Sequence, residues 1–437
     1  MIESADRSMI QQQQLLDLKN TIKKVYHQVP FYQEKFLEHH IAPHDIQTLE
    51  DIRKLPFTTK KDLRDQYPFG LFAVKQDELI RLHASSGTSG KPTVVGYTKQ
   101  DIADWSSIVA RAIETAGGRP GDILQNAYGY GLFTGGLGLH YGGEELGVVV
   151  IPISGGNTER QINLIEDLKP TIICSTPSYA LNIGEKMREL GLDPRESSLK
   201  IGIFGAEPWS EEMRSKLEEL FDIRACDIYG LSEVIGPGVA IECYEAQNGL
   251  HIAEDHFFVE VINPETLEPV PEGEEGELVF TSLKKEALPI IRYRSGDIAS
   301  ITTEKCICGR TSARMSRIKG RIDDMLILRG VNVFPSEIEH HLIQIKEIVP
   351  HYQIYLHRIS SLDEAHLHVE IKEEIYKEVS QNLEHPMIKT LQAEIYRKLK
   401  SNCLVSMKII IHPPKHIPRS EGKAIRIVDQ RLQKQNS

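Results

Sequence analysis

The chain has 437 residues, 40 % of them hydrophobic and 26 % charged, with a formal net charge of −11. Length and composition suit a globular protein of roughly two to four structural units, and the acidic balance argues against nucleic acid or an anionic membrane as the main partner. Six cysteines do not make a disulfide framework over this length, and there is neither an apolar signal core near Met1 nor a run long enough to span a membrane, so a cytoplasmic protein is expected.

In chain order, residues 1–67 read as a helical lead-in. Leu15, Leu18, Ile22 and Val25 recur at helical spacing, Val29-Pro30 ends the pattern, and Thr58 or Thr59 caps a short helix. Between two β-like runs lies Ser85-Ser86-Gly87-Thr88-Ser89-Gly90-Lys91-Pro92. Four hydroxyls, backbone N–H groups freed by two glycines and one ammonium are what a polyphosphate needs; a solvated hairpin tip has the same composition. Pro92 excludes a Walker loop, which requires Ser or Thr after the lysine. Residues 100–116 read as a helix with Ile102, Trp105, Val109 and Ile113 on one face.

Next comes the Gly-rich stretch 128–138, with Tyr128, Tyr130 and Phe133 in six residues. It suits equally a turn whose aromatics wall a pocket and one whose aromatics fill core. From residue 146 to 229, apolar runs at 146–153, 170–175, 199–204 and 225–229 alternate with helical patterns, one of them capped by Ser210. This predicts βαβ units, a mostly parallel sheet buried on both faces, and ligand-binding loops at Gly205-Ala206-Glu207-Pro208 and Tyr229-Gly230-Leu231-Ser232-Glu233. A smaller antiparallel β unit follows from about 239, ending near Ile291–Asp297. The last part reads as a compact α+β lid of ferredoxin-like type, with a helix capped by Ser336, strands at 352–359, 367–371 and 407–411, and a helix at 386–400. The boundary falls at 320/321, giving domains 1–320 and 321–437.

Cys306 and Cys308 form a C-x-C turn about 60 residues beyond Cys243 and His251. Three cysteines and a histidine make a tetrahedral structural zinc set; buried free thiols are the alternative reading.

Six short motifs in fixed order resemble those of the adenylate-forming (acyl/aryl-CoA synthetase) superfamily: SSGTSGKP at 85–92, GAEP at 205–208, YGLSE at 229–233, YRSGD at 293–297, GRIDDMLILRG at 320–330 and PRSEGKAIR at 418–426. YGYGLFTGG at 128–136 and GVNVFPSEIE at 330–339 resemble its phenylacetate–CoA ligase family in particular. The resemblance implies an α/β fold, with a large N-terminal domain (a mostly parallel sheet plus a β subdomain) and a small mobile α+β C-terminal domain. It implies ATP-dependent ligation of an aryl acid, phenylacetate foremost, to coenzyme A through an acyl-adenylate.

By the same resemblance, Ser85, Ser86, Gly87, Thr88, Ser89 and Gly90 would cradle the β- and γ-phosphates, with Lys91 as a point charge. Glu233 would reach Mg²⁺, Asp297 would take the ribose hydroxyls, and Arg321 would lie beside the ribose. Gly205, Ala206, Glu207, Pro208 and Tyr229 would pack the adenine, with Gly230 and Ser232 also in the nucleotide site. Asp323 would be the hinge, Lys423 the catalytic cation of the first half-reaction, and Gly330 part of the CoA channel. Tyr128, Tyr130 and Phe133 with Ile235-Gly236-Pro237 would wall the aryl slot. Expected partners are the aryl acid, ATP and CoA, with a homodimer left open. The competing functions are a stand-alone adenylating enzyme that charges a carrier protein, and a non-catalytic ligand-binding protein on this fold.

Overall fold

The computed structural model describes residues 2–85, 92–328, 331–359 and 362–431. Helix Arg7–Gln28 buries Leu18, Ile22 and Val25, as their spacing requires. The first helix ends at Gln28, with Val29 extended. Pro30 then takes the first position of a second helix, Pro30–Glu38, which turns Tyr32 and Phe36 inward; there the missing N–H is one the helix start leaves unpaired anyway. Thr59 caps helix Lys60–Asp65 reciprocally with Asp62. Strands Arg81–Ser85 and Thr93–Tyr97 pair antiparallel and frame the Ser/Thr/Gly loop.

Among the described residues, nine strands form the main sheet. Val149–Ile151, Ile123–Asn126, Ile172–Ser175, Ile201–Gly205 and Arg224–Leu231 are parallel neighbours in that spatial order. Gly236–Glu242, Leu250–Ile252, Arg314–Met315 and Ile301–Thr302 then continue the sheet antiparallel. The expected parallel core is therefore half of a larger mixed sheet. The run at 146–153 is not buried on both faces: it supplies the edge strand, and Val149 is 59 % exposed. An apolar run alone does not separate edge from centre, because the crossovers set the strand order.

Of the Gly-rich stretch, only the part up to Phe133 is a turn; Thr134–Leu146 is a helix. Its glycines let it lie against helix Lys99–Thr115, since a Cβ at Gly142 would stand 2.4 Å from Val109. The smaller antiparallel unit is a separate sheet of Phe257–Ile262, Gly276–Ser282, Tyr293–Ala299 and Gly320–Arg321. Its third strand is the stretch the sequence placed at the unit's end.

A distinct apolar cluster runs from Leu326 to Ile409. It packs under a four-stranded sheet in which an antiparallel pair, Ile348–Ile359 and Leu362–Ile371, is flanked by Ile427–Asp429 and Lys408–His412, each parallel to its neighbour. Strand Val331–Val333, which precedes the first helix, pairs with Leu326–Leu328 and not with this sheet, and both outer strands of the sheet follow helix Pro386–Asn402, so this unit is not ferredoxin-like. Nor does Ser336 cap its first helix. Pro335 occupies the first turn, Phe334 stands at the cap with its N–H on the Glu337 carboxylate at 3.0 Å, and the Ser336 hydroxyl bonds the Lys319 carbonyl.

Candidate active site

The loops beyond the carboxyl ends of the parallel strands open on a cavity of about 330 Å³, the place where such sheets hold ligands. It joins a slot of about 90 Å³ between Gly205–Trp209 and Asp227–Gly230. Asp297, Arg321 and Lys423 border both spaces.

Asp297 is buried on the strand Tyr293–Ala299. Tyr229 Oη donates to its Oδ2 at 2.6 Å, and Arg321 Nε lies 3.5 Å from its Oδ1. Burial pushes the Asp297 carboxyl up, while Arg321 and the Tyr229 hydroxyl pull the other way. The arrangement leaves a carboxylate able to accept two hydrogen bonds at the border of the slot. Glu233 is buried in the turn after Arg224–Leu231, and burial raises its carboxyl too. Gly230, near the end of that strand, is sterically required: a Cβ there would stand 1.9 Å from the Gly236 carbonyl oxygen.

Lys423 arrives from the other unit, on the loop before strand Ile427–Asp429. The loop is held on both sides of the lysine. Ala424 N–H donates to Glu207 Oε2 at 2.8 Å, and the Thr176 hydroxyl donates to the Gly422 carbonyl at 2.8 Å. Glu207 Oε1 in turn takes the Ser178 N–H at 2.9 Å and the Ser178 hydroxyl. The sequence placed Glu207 among adenine contacts; its carboxylate is engaged as a clamp on the lysine loop.

Of the expected aryl-slot residues, Tyr128, Phe133 and Pro237 line the cavity. Phe133 is 44 % exposed and stands at its mouth. Tyr130 Oη instead accepts from Asn126 Nδ2 at 2.9 Å. Ile235 gives its carbonyl to Tyr97 Oη at 2.7 Å, and Gly236 backs onto Trp105, so both sit behind the wall. Asp323 borders the cavity in the short turn Ile322–Asp324. Ser85 reaches the cavity at the end of its strand, whereas Ser86, Gly87, Thr88, Ser89, Gly90, Lys91 and Gly330 lie outside the described residues. Lys60, Thr134, Asp227 and Trp209 border the two spaces without having been singled out in the sequence; each sits in a stretch that reads locally as a cap, strand or turn.

Away from this cavity, Cys243, His251, Cys306 and Cys308 converge, one donor atom from each lying within 4.8 Å of every other.

A mixed sheet with a cavity at the carboxyl-end loops of its parallel strands, reached by a lysine from a small second unit, is the architecture of an AMP-binding enzyme. Residues 6–283 match the family model described as AMP-binding enzyme, and residues 330–431 the AMP-binding enzyme C-terminal domain. The chain belongs to the phenylacetate–CoA ligase family of the adenylate-forming superfamily. It is 50 % identical to the phenylacetate-coenzyme A ligase of Thermus thermophilus, covering 98 % of each chain. It is also 50 % identical to that of Escherichia coli, over 98 % of this chain and 97 % of the relative. Among solved structures, it matches a 2-hydroxyisobutyryl-CoA ligase in the postadenylation state with its acyl-AMP at a TM-score of 0.92 and 29 % identity, covering 98 % of this chain and 91 % of the other. The same ligase with CoA in the thioesterification state matches at 0.71 and 30 % identity, covering 99 % and 92 %.

Proposed function

We propose that this chain ligates an aryl acid, phenylacetate first, to coenzyme A in two half-reactions. An oxygen of the acid's carboxylate attacks the α-phosphorus of ATP and pyrophosphate leaves, giving the acyl-adenylate. The sulfur of CoA then attacks the acyl carbon and AMP leaves, the thiol proton passing to solvent. The observation that carries the reading is near-50 % identity over nearly the whole chain to phenylacetate-coenzyme A ligases.

The first half-reaction brings a carboxylate against a polyphosphate, so it needs preorganised cations and donors at the transferring phosphoryl group. Lys423 and Arg321 supply cations from two directions, and the Ser85–Lys91 loop would hold the β- and γ-phosphates. Asp297 would take both ribose hydroxyls. Tyr229, with the loop from Gly205, would flank the adenine, and Gly230 and Ser232 would complete the AMP site. Mg²⁺ suits Glu233, because a hard cation takes one or two carboxylates beside phosphate oxygens and this buried carboxylate faces the cavity; bound there, it neutralises phosphate charge. Tyr128, Phe133 and Pro237 would hold the aryl ring, an apolar wall with few polar groups.

The TM-scores support reading the present arrangement as adenylate-forming, with Lys423 inserted. CoA would enter after rotation of domain 321–437 against domain 1–320 about Asp323, which would bring Gly330 to the thiol channel. Six unbridged cysteines and the acidic surface suit a cytoplasmic enzyme, and a homodimer is its proposed assembly. The test is acid-dependent pyrophosphate release across phenylacetate, indoleacetate, benzoate and phenylpropenoates, with and without CoA. Release with phenylacetate and CoA-dependent thioester formation are expected. Adenylation without thioester would point to another acceptor, and no release with any aryl acid would sink the assignment.

A further inference from the structure

The Cys243–His251–Cys306–Cys308 group lies outside both half-reactions, and its geometry is that of a metal site. Tetrahedral zinc holds sulfur at about 2.3 Å and nitrogen at about 2.0–2.1 Å. Two ligands of one tetrahedron then stand about 3.8 Å apart for S···S and about 3.5 Å for S···N. Here Cys243 Sγ and Cys306 Sγ are 3.8 Å apart, and Cys308 Sγ is 3.5 Å from His251 Nε2. A disulfide would need about 2.05 Å.

The surroundings fit as well. His251 Nδ1 lies 3.0 Å from Ser312 Oγ, a hydrogen bond that turns Nε2 toward the thiols, as the outer partner of a metal-bound histidine does. Cys306 and Cys308 are presented by a tight turn closed by Gly309 N–H to Cys306 O at 3.0 Å and by Cys306 N–H to Arg310 O at 3.2 Å, with Gly309 at φ +91°. The turn does not exist to bury its apolar residue: Ile307, between the two cysteines, is 84 % exposed. Cys243 follows strand Gly236–Glu242 and His251 is the middle of Leu250–Ile252, so two ligands are fixed by the main sheet and two by the turn.

We infer that these four residues bind one structural zinc ion, which fastens the 306–312 turn to the sheet and, through that turn, the N-terminal segment. Four protein ligands fill a tetrahedron and leave no open position, the pattern of a structural and not a catalytic site. The fastening is direct. Thr311 and Ser312 donate their N–H groups to the Glu3 carbonyl at 2.8 and 3.3 Å, Arg310 Nε pairs with the Glu3 carboxylate at 3.4 Å, and Arg7 Nη1 donates to the Thr311 carbonyl at 3.4 Å. Zinc uptake would displace the thiol protons to solvent.

The test is metal content of the full-length protein by mass spectrometry, with amide exchange of residues 2–12. About one zinc per chain is expected. Cobalt(II) offered to zinc-stripped protein should give the visible absorption of a tetrahedral thiolate site. Cys308→Ser should lose most of the zinc, and Ser312→Ala, which keeps all four ligands, should weaken zinc affinity on the order of 10-fold. Exchange at residues 2–12 should rise at least several-fold on stripping. Protein with no zinc that also gives no tetrahedral cobalt spectrum would overturn the site, whether or not the variants fold. Full zinc in Cys308→Ser would place the ion elsewhere, and unchanged exchange at 2–12 on stripping would overturn the fastening role.

Discussion

Glu207 Oε2 accepts a hydrogen bond from the Ala424 N–H at 2.8 Å, across 217 residues of chain. The residue beside Ala424 is Lys423, so a carboxylate at the end of a sheet strand fixes the backbone that carries the proposed catalytic cation. The contact also joins the main sheet to the small C-terminal sheet, because Glu207 follows strand Ile201–Gly205 and Ala424 belongs to the small sheet's loop. Lys415–Glu189 at 2.7 Å and His351–Glu185 at 3.0 Å brace the same arrangement.

Glu207→Gln tests whether this clamp serves catalysis. Both carboxylate oxygens of Glu207 face donors, Ser178 on one side and Ala424 on the other, and an amide offers an acceptor to only one side. A lost charge-assisted hydrogen bond of about 1.5 kcal/mol or more corresponds to a loss of roughly tenfold or more. Acid-dependent pyrophosphate release should fall by that factor, while thioester formation from supplied acyl-AMP and CoA stays within a few-fold. Equal loss in both assays would make Glu207 an adenine-site residue, as its place in the GAEP motif suggests.

The sequence made the helices and parallel strands legible because their signals are local. Thr59, Thr98 and Ser210 each accept from an N–H of their own helix's first turn. It misplaced what depends on distant partners. Nothing within 146–153 distinguishes an edge strand from a central one, and the helix at Thr134 hid behind glycines whose value lies in what packs on them. Ser336 looked like a cap because Phe334 has no capping side chain. The site was legible as residue types in order. The clamp was not, because Glu207 meets Ser178 and Ala424 only through the fold. The cysteine–histidine group was legible as a ligand set, and the fold brings it together through pairing of the strands around Leu250–Ile252.

Phe133→Ala should alter which acid is used more than it alters ATP use. The ring stands at the mouth of the cavity, partly exposed, so truncation removes wall and not core. Steady-state kinetics with phenylacetate, a bulkier aryl acid and a short aliphatic acid should show a rise in KM for phenylacetate, with the KM for ATP within about twofold. A uniform loss across acids with weakened ATP binding would mean that Phe133 supports the fold.

Lys285 gives a stability prediction with a definite sign. Its ammonium is buried 3.3 Å from the centroid of the Tyr97 ring and 3.9 Å from Asp101 Oδ2, without a hydrogen-bond partner among the described residues. Desolvation outweighs these attractions and pushes the group down to about 8; unfolded, it titrates near 10.4. Between those values the unfolded chain holds more protons, so stability rises with pH across that window, and the cost is fully present below about 8. Lys285→Met should therefore be more stable than the parent at pH 7, by about 1–3 kcal/mol, with the gap closing between pH 8 and 10. Asp101 keeps the Glu286 and Ala287 N–H groups as donors, at 2.7 and 3.0 Å. Urea unfolding at pH 7 and 9.5 measures this, and a gap independent of pH would refute it.

Lys423→Ala should separate the two half-reactions. The ammonium borders the cavity shared with Asp297 and Glu233, where it would meet the charge developing between carboxylate and α-phosphate. Removing one preorganised group of this kind costs on the order of 10²–10³ in rate. That loss belongs to adenylation alone if thioester formation runs after the small domain has rotated and carried the lysine away. Acid-dependent pyrophosphate release should then nearly vanish, while conversion of supplied acyl-AMP and CoA to thioester stays within a few-fold of the parent. The clamp sharpens the comparison, because Glu207→Gln leaves the ammonium in place and loosens its backbone. It should reproduce the same asymmetry at smaller amplitude, and combining the two changes should cost no more than Lys423→Ala alone, since a clamp without its lysine positions nothing. Equal loss in both half-reactions would make Lys423 structural or shared between them and would exclude the two-orientation cycle. No loss in either would move the search for the catalytic cation to Lys91.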